Sequence, residues 1–291
     1  MMRVLPVVGL LAFSACVGGP TAASNHAVVH VVAGENFWGD IASQLGGTHA
    51  DVQSVVTDPN ADPHEYESSA NDARAFANAN LVIVNGAGYD GWADKLLAAN
   101  PNPGRKVLVV ADLLGKRQGD NPHFWYNPDY VIKVADSITA EYRSLDSTDS
   151  SYFDAQRPAF TTALQPYTQR LGEIRRRFAG LPVGATESIF VYLADYLGLN
   201  LISPPEFMQA VSEGNDPPAE SVVAFQNQIA QRSIKVLVYN VQTATAVTTN
   251  LKNQAVQESI PVVGFSETLE PQTLSFQEWQ TNQLLALESA L

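Results

Sequence analysis

Two proline-histidine segments contain the histidines best placed for chemistry. The segment at 62–67 reads DPHEYE and the segment at 121–128 reads NPHFWYNP, so the histidines are His64 and His123. A proline at a helix start fixes φ and aims the side chain that follows, and imidazole is a ligand for both zinc and manganese. Two histidines do not complete a metal site. The residues alone therefore leave open that both are ordinary surface or capping histidines.

Two glutamates in the second half of the chain could supply the missing donors. Glu187 comes soon after the apolar run 183–185, and Glu267 comes soon after the run 262–265. In parallel sheets, ligands bind outside the carboxyl ends of the strands. The two histidines also follow predicted strands, so all four side chains could meet in one cleft. Alternatively, each glutamate is a common acid at a helix N-terminus.

Short β-branched runs alternate with helical stretches and predict the fold that would position these groups. Buried parallel strands are expected at 28–32, 52–56, 81–84 and 107–110, and again at 183–185, 199–202, 236–239 and 262–265. The stretch 150–178 is long, polar and helix-prone, although Pro158 and Pro166 could kink it. We predict an α/β protein with two lobes, each a four-stranded mainly parallel sheet with flanking helices. An N-terminal lobe (27–148) and a C-terminal lobe (180–291) would be joined by one long rigid helix (149–179).

The first residues predict export and lipid anchoring. A basic start at Arg3 is followed by an apolar run at 4–13 and by small residues before Cys16, the only cysteine. This pattern predicts a signal peptide at 1–15 and resembles a bacterial lipobox, in which Cys16 is acylated. A flexible tether at 16–26 would follow. The alternative is an ordinary signal peptide with an incidental cysteine. The apolar run is too short to span a bilayer, so the lipid would be the only attachment to the membrane.

The composition excludes several classes of function. The chain has 291 residues, enough for two lobes, and a formal net charge of −13. Such an acidic surface repels phosphate backbones, which makes nucleic acid a poor partner. A single cysteine allows neither an intramolecular disulfide nor a multi-cysteine metal site.

The segment 85–91 offers a competing interpretation. It reads NGAGYDG after a predicted strand and before a predicted helix, which matches the dinucleotide-binding pattern Gly-x-Gly-x-x-Gly. We reject that interpretation because Tyr89 and Asp90 would place a bulky ring and a negative charge beside a pyrophosphate. The glycines are expected instead to permit a tight turn between strand and helix.

The two histidine segments together resemble the zinc- and manganese-specific metal receptors of ABC importers, over almost the whole chain from Val28 onward. The resemblance also includes the segment 187–199, with its Glu187, Tyr-Leu and Gly-Leu pattern, and an acidic residue after the last strand. It implies that His64, His123, Glu187 and Glu267 are the metal ligands, two from each lobe. Three positions depart from the family pattern, which usually has Asp at Asn121, Glu at Asn240 and often Asp at Glu267.

The resemblance further implies a monomeric receptor that delivers its ion to a membrane permease and is not an enzyme. Two imidazoles and two carboxylates favour Mn²⁺ if the carboxylates bind through both oxygens, whereas the same groups can hold Zn²⁺ tetrahedrally. The loop 114–120 lacks the histidines of many zinc-type members, so we expect Mn²⁺ or Zn²⁺, with a preference for Mn²⁺. A metal-dependent hydrolase using the same four residues is the alternative. Anchored receptors of this kind can also touch host surfaces, although no motif here encodes adhesion.

Overall fold

The computed structural model describes residues 28–60 and 63–291. The predicted signal peptide, the tether and Cys16 lie outside the described residues, as does Asp62. Within the described ranges, none of the helices combines the length and apolar character needed to cross a bilayer.

The first lobe is a four-stranded parallel sheet in the order β2-β1-β3-β4. All of β3 is buried, which explains its uninterrupted apolar sequence. The strands are β1 (Val29–Glu35), β2 (Ala50–Val56), β3 (Leu81–Val84) and β4 (Lys106–Val109). The helices are α1 (Asn36–Gly46), α2 (Ala70–Asn78), α3 (Gly91–Ala99), α4 (Val110–Leu113) and α5 (Pro128–Leu145).

Two consecutive helices join the lobes. They are α6 (Ser150–Ala163) and α7 (Gln165–Phe178), and only Leu164 separates them. Leu164 keeps right-handed helical dihedrals, with φ −74° and ψ −10°. Pro166 has no N–H to donate to the preceding turn, which accounts for the interruption, whereas Pro158 lies inside α6 without ending it.

The second lobe repeats the architecture of the first. Its parallel sheet has the order β6-β5-β7-β8, which confirms the predicted fold of two similar α/β lobes. The strands are β5 (Pro182–Ala185), β6 (Asn200–Leu201), β7 (Leu237–Asn240) and β8 (Val262–Phe265). The helices are α8 (Val191–Leu197), α9 (Pro205–Ser212), α10 (Ala219–Ala230), α11 (Ala246–Gln257) and α12 (Phe276–Ala290). Helix α9 was not predicted.

The two lobes are fastened to each other through α1 and α12. The side chains of Gln44 and Gln277 exchange two hydrogen bonds, of 3.0 and 3.1 Å. Asp40 Oδ2 accepts from the backbone N–H of Phe276 at 2.8 Å. One hydrophobic cluster also contains buried residues from both lobes, including Trp125 and Trp279. This shared core fixes how the carboxyl edges of the two sheets face each other.

Candidate metal centre

The four predicted side chains lie at the carboxyl edges of the two sheets. His64 lies in a 3-10 helix (Pro63–Glu65) that follows β2, and His123 immediately precedes another (Phe124–Tyr126) on the segment after β4 and α4. In the second lobe, Glu187 comes two residues after β5 and Glu267 two residues after β8. Parallel sheets gather such residues at one edge, and the packing of the lobes brings the two edges together.

The four groups form one cluster. His64 Nε2 lies 3.3 Å from Glu267 Oε2, and His123 Nε2 lies 3.3 Å from Glu187 Oε1 and 3.7 Å from Glu267 Oε2. The two imidazole centroids are 5.8 Å apart. The side chains of His123, Glu187 and Glu267 are 0% exposed and that of His64 is 17% exposed. The donor atoms thus face one another in a buried space, and His64 is the group nearest to solvent.

Asn121 fixes the tautomer of His123. Its side-chain Nδ2 donates to the Ser188 carbonyl at 2.8 Å, so its Oδ1 must be the acceptor that lies 2.7 Å from His123 Nδ1. The same Oδ1 accepts from the His123 backbone N–H at 3.1 Å. When the imidazole is neutral, as metal binding requires, its proton therefore resides on Nδ1, and the lone pair on Nε2 points at the carboxylates. Metal-binding histidines are commonly oriented in this way.

Asn240 and Tyr89 hold the two carboxylates. Asn240, the last residue of β7, donates from Nδ2 to Glu187 Oε2 and, at 2.7 Å, to Glu267 Oε1. The Tyr89 hydroxyl donates to Glu267 Oε2 at 2.7 Å. Asn240 is therefore a clamp between two buried acids that would otherwise repel each other. It leaves one oxygen of each carboxylate facing the imidazoles.

Electrostatics keeps Glu267 ionised despite its burial. Burial acts to raise the pKa of Glu267, but in the metal-free cleft the protonated forms of His64 and His123 offer positive charge and hydrogen bonds that outweigh burial and hold this pKa well below its usual value. Glu35, at the end of β1, behaves in the opposite way. Burial, followed by the charge of Asp90, raises the pKa of Glu35 well above its usual value and favours its protonated form. Negative charge in the cleft is therefore favoured on Glu267 and disfavoured on Glu35.

The glycine-containing turn after β3 positions the His123 segment. Asp90 accepts from the backbone N–H groups of Asn85 at 2.6 Å and Gly86 at 2.8 Å, and the Asn85 side chain donates to the Pro122 carbonyl at 2.9 Å. Gly86 has φ +76°, and a Cβ there would lie 2.8 Å from Val109, so the turn requires glycine. The Asp90 carboxylate occupies the N–H groups at the start of the turn, which agrees with rejecting a dinucleotide site.

A cleft open to solvent leads to the cluster. Its volume is about 540 Å³, and His64, Tyr89, Asn121, Ser188 and Met208 are among its lining residues. Helix α9, which carries Met208, forms part of the wall. The cleft gives an ion a route to the buried donors beside His64.

Sequence reasoning missed the roles of Asn121, Asn240 and Tyr89. The first two were noted as departures from a family pattern, and Tyr89 only as an obstacle to a nucleotide. The positions of the two asparagines in the sequence could have indicated their roles. Asn240 is a polar residue at the carboxyl end of a buried strand, and Asn121 lies two residues before the candidate ligand His123.

Comparisons with known proteins agree with this architecture. The family model for the zinc-uptake complex component A, a periplasmic protein (ZnuA), matches residues 31–290. The manganese ABC transporter substrate-binding lipoprotein PsaA of Streptococcus pneumoniae is 23% identical over 246 residues, which cover 78% of this chain and 77% of that protein. The metal ABC transporter substrate-binding lipoprotein FimA of Streptococcus parasanguinis is 24% identical over 247 residues, 79% of this chain and 76% of that protein.

Solved structures show the same fold. A manganese-bound variant of a periplasmic metal-binding protein from Candidatus Liberibacter asiaticus superposes with a TM-score of 0.76 at 16% identity, covering 90% of this chain and 99% of that one. The periplasmic zinc-binding protein TroA from Treponema pallidum gives a TM-score of 0.75 at 16% identity, with 90% and 99% coverage. None of these comparisons supports the hydrolase alternative. Because the family model spans nearly the whole chain, this protein belongs to the ZnuA family, the extracytoplasmic metal-binding receptors of ABC importers, and is not an enzyme.

Proposed function

We propose that this receptor captures one divalent transition-metal ion between its lobes, with His64, His123, Glu187 and Glu267 as the ligands, and delivers it to the importer permease. The observation that carries the proposal is the convergence of two imidazole Nε2 atoms and two carboxylate oxygens in a nearly closed space, with the contacts between them at 3.3 to 3.7 Å. Two carboxylates also balance the charge of a divalent ion. Ligands bonded tetrahedrally at about 2.0–2.1 Å lie roughly 3.3 Å from one another, and the pairs His64–Glu267 and His123–Glu187 already have this spacing. His64, His123 and Glu267 offer donor atoms within 4.8 Å of one another, so binding requires these groups and Glu187 to draw together around the ion.

The clamp formed by Asn240 bears on which ion is bound. With one oxygen of each carboxylate held by Asn240, four donor atoms remain, which is a tetrahedral set suited to Zn²⁺. Mn²⁺ would gain further donors if the carboxylates turned to bind through both oxygens. We infer that the site accepts both ions and binds Zn²⁺ more tightly in vitro, as the general order of metal affinities requires. The manganese-named streptococcal relatives favour Mn²⁺ as the transported ion.

Titration calorimetry on the mature protein tests the ligand set. We expect one tight equivalent of Zn²⁺ or Mn²⁺, which is lost or weakened by orders of magnitude in His64→Ala, His123→Ala, Glu187→Ala and Glu267→Ala. His30→Ala is a matched control, since the His30 side chain is exposed and lies 3.5 Å from the exposed Asp51, and it should bind as the wild type does. Unchanged affinity in any of the four variants would remove that residue from the ligand set. Competition between the two ions then measures the preference.

The proposal also covers how the receptor is attached to the membrane, its oligomeric state and its division into lobes. We propose that Cys16 is lipidated after removal of residues 1–15, that 16–26 tethers the receptor to the membrane, and that the protein acts as a monomer. We retain the divisions at 27–148, 149–179 and 180–291 as the N-terminal lobe, the link and the C-terminal lobe. The relatives named as lipoproteins support the anchor. Mass spectrometry of the protein isolated from membranes would detect acyl chains on Cys16, and an unmodified cysteine would refute lipidation.

A further inference from the structure

A second cluster of metal-binding residue types lies at the opposite end of the first sheet. His49 immediately precedes β2, whereas His64 follows that strand. The seven residues of β2 separate the two histidines by roughly 20 Å, at about 3.3 Å per residue. Asp146 follows the last residue of α5, and Asp149 immediately precedes α6. The cluster therefore joins the end of the N-terminal lobe to the start of the linking helices.

The three side chains have the spacing of a metal site. Each offers one donor atom, and these atoms all lie within 4.8 Å of one another. His49 Nδ1 is 3.2 Å from Asp149 Oδ2. Asp146 is 9% exposed, and its Oδ2 is buried with no hydrogen-bond partner among residues 28–60 and 63–291. A buried carboxylate oxygen without a partner is costly, and a cation bound among the three groups would satisfy it.

Neighbouring contacts hold the donors in place before an ion arrives. The His49 ring stacks on Tyr152 with centroids 3.8 Å apart and lies edge-on to Phe153 at 5.9 Å. The Tyr152 hydroxyl in turn accepts from the backbone N–H of Thr48 at 3.0 Å. Asp146 Oδ1 accepts from the backbone N–H of Asp149 at 3.4 Å, which sets the distance between the two acids. Preorganised donors of this kind favour binding.

We propose that His49, Asp146 and Asp149 form a second divalent-cation site, separate from the site between the lobes. One imidazole and two carboxylates suit Zn²⁺ or Mn²⁺, with water completing the coordination. The ligating nitrogen of His49 must be unprotonated to bind the ion. An ion at this position links the 3-10 helix before β2 (Gly47–His49) to both α5 and α6 and thereby fastens the linking helices to the N-terminal lobe.

Counting bound Zn²⁺ by native mass spectrometry and calorimetry tests the proposal on the full mature chain. The wild type should bind two equivalents, one tight and one weaker. His49→Ala and Asp146→Asn should each lose the weaker equivalent and keep the tight one, which also shows that the variant is folded. His64→Ala/His123→Ala should lose the tight equivalent and keep the weaker one. His30→Ala is the matched control, because His30 also faces an aspartate, at 3.5 Å, but both side chains are exposed.

Two results would overturn the second site. One is a wild type that binds a single equivalent at saturating Zn²⁺. The other is a second equivalent that survives in both His49→Ala and Asp146→Asn or disappears in His30→Ala, which would place it on surface histidines. Failure of the interlobe site is distinguishable, since it would abolish the tight equivalent in the wild type and leave the weaker one.

Discussion

The hydrogen bond from His123 to Asn121 should control metal affinity without contributing a ligand. Asn121→Ala removes the acceptor 2.7 Å from His123 Nδ1 and the hydrogen bond that crosses the cleft to Ser188. His123 can then adopt the tautomer that carries its proton on Nε2, where it cannot bind a metal. Loss of such an outer partner typically lowers metal affinity by about 10- to 100-fold, or roughly 1.4–2.7 kcal/mol.

The hydroxyl group of Ser188 should reduce the loss of metal affinity in Asn121→Ala. Ser188 Oγ lies 3.4 Å from the same Nδ1 and can partly replace the lost acceptor. We therefore expect a loss of about 30-fold for Asn121→Ala, within the range typical of outer partners, and a larger loss when Ser188→Ala is added. Ser188→Ala alone should change affinity little, because Asn121 then still holds the proton.

Competition against a chromogenic chelator at fixed pH and salt measures the effect. Asn127→Ala is the matched control from the same segment, since Asn127 caps α5 by accepting from Asp129 and Tyr130. It should cost about 1 kcal/mol of stability and leave metal affinity unchanged. The reasoning is refuted if Asn121→Ala binds metal within about threefold of Asn127→Ala, a difference under 1 kcal/mol.

Three further substitutions test the surroundings of the site in the metal-free protein. Burial raises the pKa of Glu35, so the folded state retains its proton, and unfolding becomes easier as pH rises from the unfolded pKa to the folded one. Glu35→Gln removes this dependence and should stabilise the protein more at neutral pH than at acidic pH; a pH-independent difference in melting temperature would contradict this. Gly86→Ala should cost about 2 kcal/mol in chemical denaturation because of its positive φ and its crowding. The control Gly91→Ala, whose Cβ would meet no described neighbour within 4 Å, should cost much less, and equal costs would count against the strained turn. Tyr89→Phe should lower the free energy of unfolding by about 1.5–3 kcal/mol, the worth of a hydrogen bond to a charged group, and unchanged stability would show that the bond to Glu267 contributes nothing.

The regular features of the fold followed directly from the sequence. The runs 81–84 and 262–265 are strands with the predicted bounds. The first is continuously apolar because it is buried on both faces, whereas the second lies at a sheet edge and is only partly buried. Helix α9 was missed because its eight residues are shorter than the window of 11–18 residues over which helical periodicity can be recognised. The interruption at Leu164 was foreseen only as a kink, since a proline pattern does not tell a bend from a break.

The sequence predicted the four candidate ligands but not the side chains that hydrogen-bond to them. His64 and His123 stood out because each follows a proline in a distinctive segment, and the two glutamates because each follows a strand. The clamp by Asn240 depends on Glu187 and Glu267, which are 53 and 27 residues away in the chain. Likewise, the bond from Tyr89 to Glu267 joins residues 178 positions apart in different lobes. Such pairings depend on how the lobes pack, which no local pattern encodes.

Anomalous diffraction from crystals of the Zn²⁺-loaded protein, collected at the zinc edge, tests the central claim most directly. We predict a peak in the interlobe cleft bonded to Nε2 of His64 and His123 and to one oxygen each of Glu187 and Glu267, at about 2.0–2.2 Å. A loaded crystal without a peak there, or with one of these four side chains turned away from the ion, would contradict the account.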